Sequence, residues 1–92
     1  MKVLPAEIKF FSSDKNYVTL HLKGNRKVVV RSTITEMQGK LDPDKFFKVN
    51  RSRVLNHYYI TKIDTETVYI NNHPITINKA QWKVLIQLLD KH

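Results

Sequence analysis

The chain has 92 residues and carries 16 Lys and Arg against eight Asp and Glu, a formal charge of +8. One core fits that length, which excludes a two-lobed enzyme with a cleft between domains, and the absence of cysteine excludes disulfide frameworks, thiolate metal sites and thiol nucleophiles. An apolar fraction of 41% is that of a folding chain, while the charge density points to a polyanionic partner, nucleic acid first.

The first residues, Met1 to Ala6, lack the apolar run of a secretory signal, and no stretch approaches the roughly 18 apolar residues of a membrane span. The expectation is a water-soluble, cytoplasmic protein. Glu7 to Phe11 is rich in strand formers and is followed by a polar turn at Ser12 to Asp14. Tyr17 to Leu22 alternates, with Val18, Leu20 and Leu22 on the core side. Gly24-Asn25 then suits a tight primed turn, because both central positions need positive φ, and Arg26 to Arg31 returns with Val28 and Val30 facing the core.

Thr33-Ile34-Thr35-Glu36 fits a capping box, so a short helix runs from Ile34 towards Leu41 and stops at Asp42-Pro43-Asp44. Phe46 to Asn50, Tyr58 to Ile63, Thr67 to Asn71 and Pro74 to Ile77 read as four more strands. Asn78-Lys79-Ala80-Gln81 opens a terminal helix that turns Trp82, Leu85, Ile86 and Leu89 towards a sheet. Val84 and Leu88 widen that stripe, leaving part of it for core packing or for a neighbouring domain or second copy. Few glycines and prolines and no repeat leave residues 1–92 as one domain, with an expected fold that is mainly β, with a short central helix and a C-terminal helix.

Charge is segregated along the chain. Lys15, Lys23, Arg26, Lys27 and Arg31 follow one another without an acid, as do Lys45, Lys48, Arg51, Arg53 and Lys62. Any single lysine is ordinarily a solvated surface residue. The run Lys48-Val49-Asn50-Arg51-Ser52-Arg53 is more specific, since Arg offers a planar fork and Asn both donates and accepts, a mixture that clamps phosphates and reads base edges. Catalysis has little support: His21, His57, His73 and His92 lack metal-site spacing, no Gly-rich loop cradles phosphate, and no nucleophile and base are tied by spacing. The expectation is no enzyme, no cofactor and no metal.

Several stretches together resemble the LytTR-type DNA-binding domain, the output module of many bacterial response regulators. They are Ile8-Lys9-Phe10-Phe11, Asn16-Tyr17-Val18, the central Phe46-Phe47-Lys48-Val49-Asn50-Arg51-Ser52-Arg53-Val54-Leu55-Asn56, and Ile75-Thr76-Ile77-Asn78-Lys79. The resemblance implies small antiparallel sheets in an elongated domain, with a short central helix and a C-terminal helix, that reads double-stranded DNA through loops. By position it implies base contacts from Asn16, Arg51 and Lys79, with Asn78 able to serve beside Lys79. Lys15, Lys48, Asn50 and Arg53 flank these as further DNA-binding candidates.

It further implies transcription regulation, two copies on repeated half-sites and an upstream receiver domain if the chain is a fragment. Asn50 stands where the family often has His and Lys79 where Arg is usual, which shifts Lys79 towards backbone positioning and leaves Arg51 and Asn16 as readers. Each residue also has a plain alternative: Asn16 as the start of a strand, Asn78 as a helix cap, Arg51 as the ion partner of Asp44 or Asp64. Phe46, Phe47, Tyr58 and Trp82 are assigned to the core. The alternatives to duplex binding are a β module for single-stranded nucleic acid and a basic protein-interaction module. Membrane docking has no basic amphipathic helix to support it.

Overall fold

The computed structural model describes residues 3–90. Among the described residues there are eight strands and two α-helices, with all strand pairs antiparallel. Strands β1 (Ile8–Asp14), β2 (Tyr17–Leu22) and β3 (Arg26–Arg31) form a meander, and β4 (Phe46–Asn50) with β5 (Arg53–Asn56) completes a five-stranded sheet in the order β3-β2-β1-β5-β4. Strands β6 (Lys62–Asp64), β7 (Thr67–Ile70) and β8 (His73–Thr76) make a second sheet in chain order. Helix α1 (Ile34–Gln38) lies between β3 and β4, and α2 (Lys79–Asp90) follows β8.

The β1, β5 and β4 part of the five-stranded sheet carries a core on each face, so apolar residues stand side by side at Phe10-Phe11, Val54-Leu55 and Phe46-Phe47, whereas β2 keeps its alternation. Phe10 pairs with Leu55, and Leu55 with Phe47; with Val49 this face packs on Val68, Ile70, Ile75 and Ile77 of the second sheet and Leu85 and Leu88 of α2. Phe11 pairs with Leu20 and Val54, and this opposite face gathers Val18, Leu22 and Phe46 beneath Ile34 of α1. A bulge between Ile8 and Phe10 reverses the alternation and brings Ile8 onto the same face as Phe11. Phe11 is fully buried, and truncating it to alanine would cost about 3 to 5 kcal/mol.

Helix α1 is held by the expected capping box: Thr33 Oγ1 accepts from Glu36 N at 3.1 Å and Thr33 N donates to Glu36 Oε1 at 3.2 Å. It ends at Gln38, short of Leu41, with the chain leaving through Gly39. The β2–β3 connection has positive φ at Gly24 (78°) and Asn25 (58°), as a primed turn needs, but Leu22 pairs with Arg26, so residues 23–25 all lie in the connection. Val28 and Val30 turn to the second core and are half-buried, because β3 is an edge strand. Exposed Arg26, Lys27 and Arg31 guard that edge against pairing with another chain.

Four expectations are corrected. The polar stretch Ser12 to Asp14 is the end of β1, because Ser12, Ser13 and Asp14 pair with Thr19, Val18 and Tyr17. Glu7 belongs to a short 3-10 helix, Pro5–Glu7. Tyr58 to Ile63 is not a strand: the Asn56 side chain accepts from Tyr58 N at 3.1 Å and caps a 3-10 turn, His57–Tyr59, so pairing falls on Arg53–Asn56 before it and Lys62–Asp64 after it. Finally, α2 buries Leu85 and Leu88, flanked by Trp82 and Leu89, and leaves Ile86 and Val84 exposed. Phe46 and Phe47 are core and Trp82 packs against it, whereas Tyr58 is 57% exposed and stacks on the buried His57 ring at 4.4 Å.

Candidate nucleic-acid interface

Three connections come together at one end of the two sheets. The first is Lys15-Asn16, a two-residue link between Asp14 and Tyr17, which are paired. Lys15 adopts φ of 57°, a left-handed conformation that an L-residue with a side chain enters at a cost. Asn16 O accepts from Ser32 N at 3.0 Å, which fixes the turn against the end of β3, while its side chain stays exposed.

The second connection joins β4 to β5. Asn50 Oδ1 accepts from Ser52 N at 3.0 Å and from Ser52 Oγ at 3.4 Å, folding an Asx-type turn with Arg51 at its apex. Ser13 N donates to Ser52 O at 2.8 Å and so ties this turn to the end of β1. The third runs from β8 into α2. Asn50 Nδ2 donates to Thr76 O at 3.5 Å, a long bond that nevertheless sets the end of β8 beside the Arg51 turn. Asn78 Oδ1 accepts from Gln81 N at 2.9 Å as the cap of α2, and Lys79 is its exposed first residue.

Asn16, Arg51, Lys79, Asn78 and Lys15 are therefore exposed at the same end, on connections linked by hydrogen bonds. Among the described residues Arg26–Glu7, at 2.6 Å, is the one ion pair, so Arg51 is bound to neither Asp44 nor Asp64. Asn78 does serve as a helix cap, which leaves its amide nitrogen as a donor. The amide of Asn50 is engaged within the protein and shapes the turn. Lys48 pairs with Val54 and lies half-buried on the α1 side of the sheet. Arg53 pairs with Ser12 and turns its charge towards His21 and His73, the pKa values of both of which it helps lower.

Arg31 is a cation the loop-by-loop reading did not single out. It pairs with Tyr17, directly beside the Lys15-Asn16 turn, and the hairpin register counted back from Gly24-Asn25 is the signal that finds it. Acids at this end include Asp14, Asp64, which pairs with Thr67 across from Thr76, and Glu66, whose carbonyl accepts from Ile77 N at 2.9 Å. Among the described residues no group of three His, Asp or Glu side chains is placed to hold a metal ion. No described helix is long and apolar enough to cross a membrane.

Exposed Arg, Lys and Asn side chains thus gather on connections at one end of an antiparallel scaffold. A family model, the LytTr DNA-binding domain, matches residues 1–90. The chain belongs to the LytTR family of DNA-binding domains, which serve response regulators in transcription regulation. Among solved structures it is similar to the LytTr DNA-binding domain of a Bacillus cereus protein described as a methyl-accepting/DNA response regulator. The TM-score is 0.80 at 15% identity, over 97% of this chain and 86% of that one. The likeness is one of fold: mainly β, in antiparallel sheets.

Proposed function

We propose that the chain, read as a single domain over residues 1–92, recognises double-stranded DNA sequence-specifically by presenting its three adjoining loops to neighbouring grooves, with no enzymatic step. One observation carries the reading: Asn16, Arg51 and Lys79 are exposed at one end of the scaffold, and among the described residues their side chains have no internal hydrogen bond or ion pair. Groups left unpaired by their own protein are free to pair with a ligand at no cost in broken contacts.

Arg51 supplies the planar fork that suits guanine O6 and N7, and the Asn16 amide suits adenine N6 and N7. Lys79 and Lys15 act as point charges on phosphates, helped by the Asn78 amide and by Lys48 at the sheet face. Asn50 holds the Arg51 turn in shape, and Arg53 adds positive potential from the inner face. The longest extent of the molecule is 35 Å, about one turn of duplex. Two copies on repeated half-sites then account for a full operator, with the chain acting in the cytoplasm as the output module of a regulator that carries a receiver domain. Phe46 and Phe47 are buried, so neither ring is open to stack on single-stranded bases.

Selection of bound duplexes from a random pool, followed by a salt titration on the winner, tests the proposal. A defined motif is expected, with log K falling against log salt at a slope of roughly −4 to −5 for about five neutralised phosphates. Equal affinity for selected and scrambled duplexes, or tighter binding of single strands, would overturn it.

A further inference from the structure

At the far end of the sheets from the three loops, the β2–β3 and β7–β8 turns flank an open cavity of about 670 Å³. Along β1, Lys9 is six residues from Lys15, about 20 Å of extended chain. The cavity is thus separate from the proposed DNA end. Its wall holds Lys9, Lys27, His21, His73, Asn71 and Asn72, and among the described residues no acidic side chain lines it. Arg26 also reaches it, but its guanidinium is already held by Glu7 Oε2 at 2.6 Å. Lys9 and Lys27 have no such partner among the described residues.

The two histidines form an aromatic pair over the buried Phe10. The His21 ring stacks on Phe10 at 4.1 Å and 11°, the His73 ring lies 4.9 Å from it, and the two imidazoles are 6.4 Å apart. Burial, then Lys27, His73, Lys9 and Arg53, lower the His21 pKa from 6.5 to about 4; burial first, then Arg53, Lys9 and Lys27, lower that of His73. Both rings are therefore neutral at pH 7, and each keeps one N–H donor and one acceptor. A divalent metal is disfavoured between them by the three surrounding cations. An anion would be attracted by the same three.

We propose that this cavity is a binding site for a small phosphate-bearing molecule, independent of DNA. Lys9 and Lys27 supply the point charges that suit a tetrahedral dianion, and the imidazole N–H groups supply directed donors. The volume exceeds that of a phosphate group alone and falls in the range of small-molecule sites. Its remaining wall carries the Asn71, Asn72 and Asn25 side chains, whose amides can both donate to and accept from a sugar or heterocycle. A bound dianion would also offset the cationic field on both rings and draw their pKa values back up.

The test is a titration of the protein with inorganic pyrophosphate, followed by amide and imidazole NMR signals, alone and with a saturating selected duplex. Saturable shifts are expected at Lys9, His21, Lys27 and residues 71–73, with the His21 and His73 titrations moving to higher pH. Lys27→Ala and Lys9→Ala together should weaken pyrophosphate at least tenfold and leave duplex selectivity unchanged, while Lys27→Arg should retain binding. Absence of saturable shifts there, equal affinity in the doubly substituted protein, or displacement of pyrophosphate by the duplex would overturn the proposal. Failure of duplex binding alone would not touch it.

Discussion

Replacing Lys15 by glycine and, separately, by alanine isolates two properties of one residue. Its backbone lies at φ of 57°, a region that costs an L-residue with a Cβ about 1 to 2 kcal/mol. Glycine escapes that cost but loses more entropy on folding, by roughly 0.5 to 1 kcal/mol. The difference spans about 0 to 1.5 kcal/mol, so at its midpoint the glycine variant should exceed the alanine variant in stability by roughly 0.75 kcal/mol, a rise in Tm of about 3 to 6 °C for a domain of this size. Lys15 is exposed and has no ion partner among the described residues, so loss of the ammonium itself should leave stability within about 0.5 kcal/mol. On DNA the two variants should behave alike, each reducing the magnitude of the salt slope by about 0.9 through one lost phosphate contact. Thermal unfolding and a salt series of binding isotherms read both effects. A glycine variant that melts below the alanine variant would refute the strained turn. An unchanged slope in both would refute the phosphate contact.

Arg51→Ala should cost about 1 to 3 kcal/mol in binding and relax preference at one base pair, with stability unchanged because the side chain has no internal partner; equal loss on selected and scrambled duplexes would reduce it to a phosphate contact. Asn50→Ala removes the acceptor of Ser52 N and the bond to Thr76 O. It should lower stability by about 1 to 2 kcal/mol and weaken DNA binding through disorder of the Arg51 turn, as measured by urea unfolding and amide exchange at residues 50–53. The His21 pKa is lowered on folding to about 4, so between that value and 6.5 the unfolded chain binds more protons. His21 thus contributes stability that is present above about pH 6.5 and is lost as pH falls towards 4. Urea midpoints across that range should fall with acidity, and His21→Gln should flatten the dependence relative to the parent; an identical slope in both would exclude His21 as its source.

Local chemistry explains which elements the sequence displays. Alternation at Val18, Leu20 and Leu22 and the reciprocal bonds of Thr33 and Glu36 depend on neighbours a few residues away, and both are present in the structure. Strand β5 was hidden because Val54 and Leu55 face two different cores, so the alternation that marks a half-buried strand is absent. The β-forming run after it misled in the other direction, since one buried amide, Asn56, diverts the chain into a 3-10 turn. The misreading of α2 has a geometric source. Leu85 and Leu88 meet the sheets while Ile86 does not, because the periodicity of a helix with apolar residues on several sides does not say which side is covered.

The candidate site divides the same way. Residue types alone determined that this is a small, cysteine-free, strongly basic strand former whose arginines and amides suit a polyanion, because charge, side-chain donors and turn preferences are properties of single residues and short spans. Residues 16, 51 and 79 became neighbours only through the pairing of β1 with β5 and the bond from Asn50 to Thr76. These contacts join segments tens of residues apart, and their register is set by the packing of two cores on one sheet, which no local pattern encodes.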